Sequence, residues 1–425
     1  LTSFRPSKDA TLLAGLYALA WLLPAFVGGY AILTMFPFHP LPVPDFTPIR
    51  HDGAVRFFFD PWQDWDGQWY LRIADRGYYA GDASPAFLPA YPLAIRGLAV
   101  LTGGDLLVAA CLVSWASLAL ALVVLHRLFL EELGEETAAN ALVLLVTFPT
   151  AFYFHAAYTE SFFLLCSSLS LLLARRGRFA LAAMAALLAS LTRWTGFALV
   201  PALLVEAWTQ SAAATGALGD ETPTLERLWN ATATRVVTSV SRSAVALSLF
   251  PLVALPLVLQ FLQTTVGDPW AFSRAQRLWE RRLTPPWTGL IEGIRVVLPG
   301  HPPYLSPLPG GFPRLADYPG GFLTAHGYNL AAALLGLTLA TVAAYRLRAS
   351  LAVLALVEVI LPLMTPSRLQ PLQSMPRFLV VAFPLFAALS VLLRGRPTLS
   401  AAVVGAFACL QGFFAARFAL WFWVA

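Results

Sequence analysis

Residues 179–208 read FALAAMAALLASLTRWTGFALVPALLVEAW. A helix needs about 20 apolar residues to cross a bilayer, so this run is too long for one span, and LTRWTG interrupts it. An arginine at the membrane centre costs about 2.5–3.5 kcal/mol even on insertion scales. The sequence is read here as two short helices that enter and return, with Arg193 at their outer turn. Irregular backbone at membrane depth is tolerated where it lines a protein cavity. A single crossing would instead put residues 209–243, with Arg227, Arg235 and Arg242, on the outside. Basic clusters beside spans favour the cytoplasm, so the broken pair is preferred.

The rest of the chain follows the same pattern. Of its 425 residues 58% are hydrophobic and 12% charged, with a mean hydropathy of +0.68. Soluble domains carry about 25% charge, so this composition describes an integral membrane protein. Outer-membrane barrels are built from short alternating segments, and the chain shows long apolar runs instead. An all-α polytopic bundle is expected, with about 11 transmembrane or re-entrant helices. The net charge of +5 matters less than where the arginines stand, since Lys8 is the only lysine. Cys111, Cys166 and Cys409 lie in apolar runs at no metal-ligand spacing and are read as small hydrophobes. The first apolar run has no small-residue cleavage site after it and is read as a retained anchor.

Arginine clusters at span ends set the orientation. Arg5 and Lys8 place the start of the chain inside, before a first span from about Thr11 to Phe36. Residues 45–96 then form a first external loop, with interfacial helices expected in it. Spans return to Arg127, to Arg175, Arg176 and Arg178, to Arg346 and Arg348, and to Arg394 and Arg396, all on the cytoplasmic side. Residues 209–243 become a cytoplasmic loop and 267–321 a second large external loop. The single membrane domain therefore covers 1–425, and its mixed-charge segments gather on one surface.

The densest of these is DPWQDWDGQWYLRIADRGYY, residues 60–79. Trp62, Trp65, Trp69 and Ile73 recur at three- and four-residue steps, which places them on one helical face. Such a helix would lie in the interface with its tryptophans among headgroups. Asp66 and Tyr70, four apart, are neighbours on an adjacent face. The plain alternative is a structural interfacial helix whose acids face water. In FPTAFYFHAAYTESFF, residues 148–163, Thr159 could cap the following helix and Glu160 could favour its dipole. That account leaves His155 and Tyr158 unexplained on the same surface. Arg193 is either paired with an anion, Glu160 being the structural candidate, or grips a phosphate through its fork of donors. GDPWAFSRAQRLWERR, residues 267–282, reads as a turn and a juxtamembrane helix containing Gln276 and Trp279. In QSMPRFLVVAFP, residues 373–384, Arg377 stands at the external mouth of a span, where snorkelling would also explain it. Glu358, deep in LALVEVIL, has no evident partner. His51, His301 and His326 show no ligand spacing, and Asp64 with Asp66 is a weak candidate pair for a divalent ion.

Taken in order, WDGQWYLRIADRGY, FLPAYPLAIR, FHAAYTESFF, LTRWTGF, GDPWAFSRAQRLW and SMPRFLVVAFPLF resemble the PIG-V family of membrane mannosyltransferases. The motifs run from about residue 60 to 390. One departure is Thr147-Phe148-Pro149, where an Asn-Pro pair is expected. The resemblance implies a GT-C-type bundle that takes mannose from a polyprenyl-phosphate-mannose donor and acts on the external face. It implies Asp66 as general base and inversion at the anomeric carbon. Arg193 and Arg377 would meet the lipid phosphate, with His155 and Tyr158 as further donors, and Tyr70, Glu160, Trp194, Gln276 and Trp279 would line the substrate site. No cofactor is required on this reading, and a divalent metal at Asp64 and Asp66 is possible but not expected. The expected partners are the lipid-linked donor, a lipid or glycolipid acceptor and membrane lipids, with no nucleic acid. The rival reading is a polytopic transporter or lipid flippase. Transporters show inverted repeats and midplane sites, whereas no repeat is evident here and the polar motifs gather at one surface.

Overall fold

The computed structural model describes residues 6–34, 43, 45–214, 222–232, 240–298, 325–368, 370–422 and 424. Arg5, Arg235, His301 and the 299–321 part of the second loop lie outside the described residues. Among those described there is no β-strand, only an isolated antiparallel bridge between Arg281 and Ser367. The protein is a helical bundle. Among the described residues six helices are long and apolar enough to cross a membrane: Asp9–Thr34, Leu106–Leu133, Trp194–Ala214, Arg242–Val266, Ala325–Arg346 and Pro397–Ala419. A bent pair, Met375–Val381 and Pro384–Leu393, makes a seventh if it counts as one span. Shorter apolar helices, Phe179–Ser190 and Ala349–Leu363, pack among them. Six or seven spans and two shorter apolar helices among the described residues do not confirm the expected count of about 11.

Residues 179–208 form two helical limbs around a turn, as the interrupted run implies. Phe179–Ser190 ends, Arg193 is extended at φ −146 and ψ 143, and a short 3-10 turn leads into Leu199–Ala214. Gly196 makes this corner possible. A Cβ there would come within 2.5 Å of the Ser190 amide nitrogen and 2.6 Å of the Ala189 carbonyl carbon, and backbone cannot yield as a side chain can.

Two sequence expectations change. The 60–73 segment is not one helix: residues 60–63 form a 3-10 turn, and the helix Asp66–Arg76 starts anew after Trp65, at φ 56 and ψ −119. Its tryptophans do not share a headgroup-facing stripe. Trp62 is fully buried, stacked 6.2 Å from Phe418 and packed where Gly28 leaves room for its ring. The second change is at Arg377, which lies on the short helix Met375–Val381, turned 84° from Pro384–Leu393. Pro384 lacks the N–H and forces the break, so Arg377 points across the bundle end and does not extend a span toward headgroups.

The arginine-rich ends of the helices are tied together by buried charge. Arg348 donates to Glu206 at 2.8 and 2.9 Å, Ser350 donates to the same carboxylate at 2.7 Å, and Arg175 donates to Glu132 at 3.0 Å. Glu160 opens the helix Glu160–Arg175 and Arg175 closes it. Its 16 residues separate the two ends by about 24 Å at 1.5 Å per residue. The charges around Glu160 therefore form a second cluster, at the opposite end of the bundle.

Candidate active site

The corner at Asp64–Trp65 positions the first acid. A non-glycine residue at positive φ costs on the order of 1–3 kcal/mol and persists only where neighbours hold it. Tyr158 is that neighbour. Its hydroxyl donates to the Asp64 carbonyl at 2.9 Å and accepts the Asp66 N–H at 3.1 Å, while the Ala157 N–H donates to the Trp62 carbonyl at 2.9 Å. The 148–163 stretch thus lies beneath 60–79 as a mould. Asp66 becomes the first residue of its helix, where the N-terminal dipole favours a negative charge.

From Asp66 a chain of charge runs inward. Arg377 Nη1 donates to Asp66 Oδ2 at 2.5 Å, and its Nε donates to Glu160 Oε1 at 2.5 Å. Arg193 Nη1 donates to the same Glu160 oxygen at 2.6 Å and to Thr159 Oγ1 at 3.0 Å. Glu160 is wholly buried, and Asp66 is the most exposed of the four, with 27% of its side chain accessible. Arg377 also lies over Tyr158 and Tyr153, at 4.6 and 5.3 Å from the ring centroids. Thr159 does not cap the helix, as its side chain makes no cap hydrogen bond; its hydroxyl is turned to Arg193 instead. The anion partner weighed for Arg193 is indeed Glu160.

Beside this chain opens a cavity of about 490 Å³. Of the residues singled out from sequence, Asp66, Tyr70, Thr159, Arg193, Trp194, Gln276, Trp279 and Arg377 line it. Burial pushes the Tyr70 phenol up to about 12, so it stays an uncharged donor at neutral pH. Tyr158 and Glu160 do not line the cavity; they hold the groups that do. His155 stands apart, its ring 4.8 Å from Trp115 and 4.7 Å from Trp62 in an aromatic packet. There it is no donor to a ligand in the cavity.

Asp64, the other half of the possible metal pair, is 2% exposed and does not line the cavity. Burial, with Asp60 nearby, pushes its carboxyl well above the usual carboxylate range. Among the described residues no group of three or more His, Cys, Asp or Glu side chains is placed to hold a metal ion. Among the lining residues that escape the sequence reading are Arg281, Arg282, Gln373 and Phe378. Nothing local marks Arg281 among Arg274, Arg277 and Arg282, because all four share one polar stretch. Glu358 is buried, and neither of its carboxyl oxygens has a hydrogen-bond partner among the described residues.

Fold and site together define a polytopic helical membrane protein with a carboxylate–guanidinium cavity at the end of the bundle opposite its arginine clusters. Residues 38–210 match the family model described as Mannosyltransferase (PIG-V), the family that the sequence motifs resemble. The matched stretch contains Asp66, Tyr158, Glu160 and Arg193, while Gln276, Trp279, Arg281 and Arg377 lie beyond it. No curated protein matches the chain. Among solved structures it is similar to the oligosaccharyltransferase AglB of Archaeoglobus fulgidus in complex with an inhibitory peptide and a dolichol-phosphate. That likeness has 14% identity and a TM-score of 0.41, and covers 99% of this chain and 56% of that one. The apo form of the A. fulgidus oligosaccharyltransferase gives 15% identity and a TM-score of 0.42, covering 100% of this chain and 57% of that one. The chain thus spans little more than half the length of these structures.

Proposed function

We propose that the protein is a GT-C-type membrane glycosyltransferase that moves mannose from polyprenyl-phosphate-mannose to a hydroxyl of a lipid or glycolipid acceptor. The observation that carries this reading is the Asp66 carboxylate 2.5 Å from the Arg377 guanidinium at the wall of one cavity. The family match over residues 38–210 supports the sugar and the reaction class. The clusters at Arg175, Arg348 and Arg394 support a cytoplasmic far end by the positive-inside rule. The cavity then faces the exterior of the cell membrane.

In the proposed reaction the acceptor O–H gives its proton to Asp66 while its oxygen bonds to the anomeric carbon from the face opposite the phosphate. The bond from that carbon to the phosphate oxygen breaks, and the electron pair leaves with the lipid phosphate. The configuration inverts. A diester with one negative charge becomes a monoester with more, and preorganised cations at the leaving oxygen lower the barrier. Guanidiniums fill that role in this reading, and no metal or cofactor is assigned. Without substrate, Arg377 holds the base. An arriving phosphodiester competes for Arg377 and releases Asp66, so the donor binds before the acceptor.

The test is turnover by the purified protein with labelled polyprenyl-phosphate-mannose and a panel of lipid acceptors. Transfer is expected, and absence of any transfer or release of sugar would sink the reading. Glu358, in the apolar helix Ala349–Leu363 and without a hydrogen-bond partner among the described residues, is the one feature that favours a transporter, since intramembrane carboxyls often mark ion or proton paths. Glu358→Gln should leave transfer intact on the enzymatic reading.

A further inference from the structure

The charges that line the cavity do not cancel. Arg282 is paired with Glu292 at 2.6 Å. That leaves three lining guanidiniums, on Arg193, Arg281 and Arg377, against the lining carboxylate of Asp66 and the carboxylate of Glu160 buried behind it. Arg193 and Arg377 are committed to those two acids. No carboxylate lies within ion-pair distance of Arg281 among the described residues, so the surplus positive charge of the site rests there. Its environment is crowded: burial first, with Arg377 and Arg193 adding to it, draws its guanidinium down to about 10 despite the nearby Asp66. It remains charged at neutral pH, as a cation that would be stabilised by an anion.

The backbone keeps Arg281 in that place. Thr284 N–H donates to the Met364 carbonyl at 2.8 Å, Arg282 N–H to Pro366 at 3.3 Å, and Arg368 N–H to Glu280 at 3.4 Å. Residues 280–284 are thus laced antiparallel to 364–368, with Arg281 opposite Ser367. That lacing ties Arg281 to the segment leading into the helix Met375–Val381, which carries Arg377. Phe378 on that helix is shared, with Arg281 5.7 Å and Arg193 5.5 Å from its ring centroid. A flexible surface arginine would have neither restraint. A planar fork fixed beside an uncompensated cavity is suited to a phosphate.

We infer that Arg281 is the primary binding residue for the phosphate of a prenyl-phosphate ligand in this cavity, with Arg193 and Arg377 joining only as their carboxylate partners yield. The identity of the ligand rests on the glycosyltransferase reading; the assignment of the anion to Arg281 rests on the charge balance and on the backbone that fixes it.

Trp194 and Trp279 line the cavity, so binding can be followed by tryptophan fluorescence in non-ionic detergent without any turnover. Farnesyl phosphate is the probe, with farnesol and inorganic phosphate as separate arms. The wild-type protein should bind farnesyl phosphate saturably, and farnesol much more weakly. Loss of a charged hydrogen-bonding partner should weaken farnesyl phosphate binding of Arg281→Gln by about ten- to a hundredfold. Arg281→Lys should lie between the two, and Arg274→Gln, which does not line the cavity, should match the wild type. Should Arg281→Gln fail to fold, the lysine variant still decides, because unchanged affinity there and in Arg281→Ala would remove the residue from the site. Equal affinity of wild type and Arg281→Gln overturns the inference, as does absence of any saturable binding by the wild type. So does phosphatidylglycerol displacing the probe as effectively as farnesyl phosphate itself, which would make the anion a headgroup. If Arg281→Gln loses the probe but no donor sugar is ever transferred, the inference stands and the glycosyltransferase reading fails.

Discussion

Asp66 has two neighbours, the start of its own helix and Arg377, and in the proposed reaction it must leave the second. Asp66→Asn removes the proton acceptor while leaving the hydrogen-bonded corner at Tyr158 intact. General-base catalysis contributes about 10²–10⁴-fold, so transfer should fall at least a hundredfold while farnesyl phosphate binding stays within a few-fold of wild type. Retained turnover would remove Asp66 as base. Glu160 has a different task. It is fully buried and shared by two guanidiniums, and removing one partner of a buried ion pair costs about 3–5 kcal/mol. Glu160→Gln should therefore lower the unfolding temperature in detergent markedly, and an unchanged melting curve would show that the two arginines do not depend on it. The acids at 66 and 160 are both evident in the sequence as polar residues in apolar surroundings. Their linkage through Arg377, more than two hundred positions later, is not, because no local spacing records it.

At the level of elements, the two features that aim the site are corners. The turn at Gly196 sets Arg193 against Glu160. Gly196→Ala would force a Cβ into backbone, and overpacking of this kind costs about 1–3 kcal/mol; transfer and thermal stability should drop together. Stability lost with transfer kept would mean that the turn positions nothing essential. The other corner, at Trp65, was hidden from periodicity because three- and four-residue spacing is satisfied equally by a continuous helix and by a 3-10 turn followed by a new one. The first loop carries a further fastening. His51 sits between Asp60 and Asp105, its ring nitrogens 2.5 and 2.7 Å from their carboxylates. Burial pulls its pKa down, but the hydrogen bonds and charges of the two acids outweigh this and raise it above 6.5. A histidine raised in the folded state stabilises fully below its unfolded value and loses that contribution as pH rises through the folded one. The loop should thus become more open to protease as pH climbs above about 6.5. His51→Gln should flatten that dependence, and a profile unchanged by the substitution would assign it to another group.

Across the whole molecule, the separation of two charge clusters to opposite ends of one bundle sets the orientation argument. On a background lacking the three cysteines, Ala80→Cys should react with an impermeant thiol reagent applied outside intact cells, and Thr398→Cys only after permeabilisation. The reverse pattern would turn the cavity to the cytoplasm and remove the external donor from the reading. Much of this plan was legible in the chain. The thirty-residue run at 179–208 could not cross once with an arginine at its centre, and the structure breaks it there. The cavity residues Asp66, Arg193, Trp194, Gln276, Trp279 and Arg377 were each marked by polarity or aromatic character beside an apolar run. His155 was marked in the same way but packs elsewhere, because tryptophans on Leu106–Leu133 and in the 60–63 turn enclose its ring.

What the sequence alone determined is what depends on burial in lipid: a helical, many-spanning chain, broken at Arg193, with charge gathered at the helix ends. Those follow from the energy of placing residues in hydrocarbon, which is additive along the chain and so can be read locally. The choice of which arginine is neutralised and which is left over belongs to the tertiary structure. Arg193, Arg281 and Arg377 are chemically alike in the sequence. Only the packing of four distant segments decides that two of them meet carboxylates and that the third faces the cavity without one.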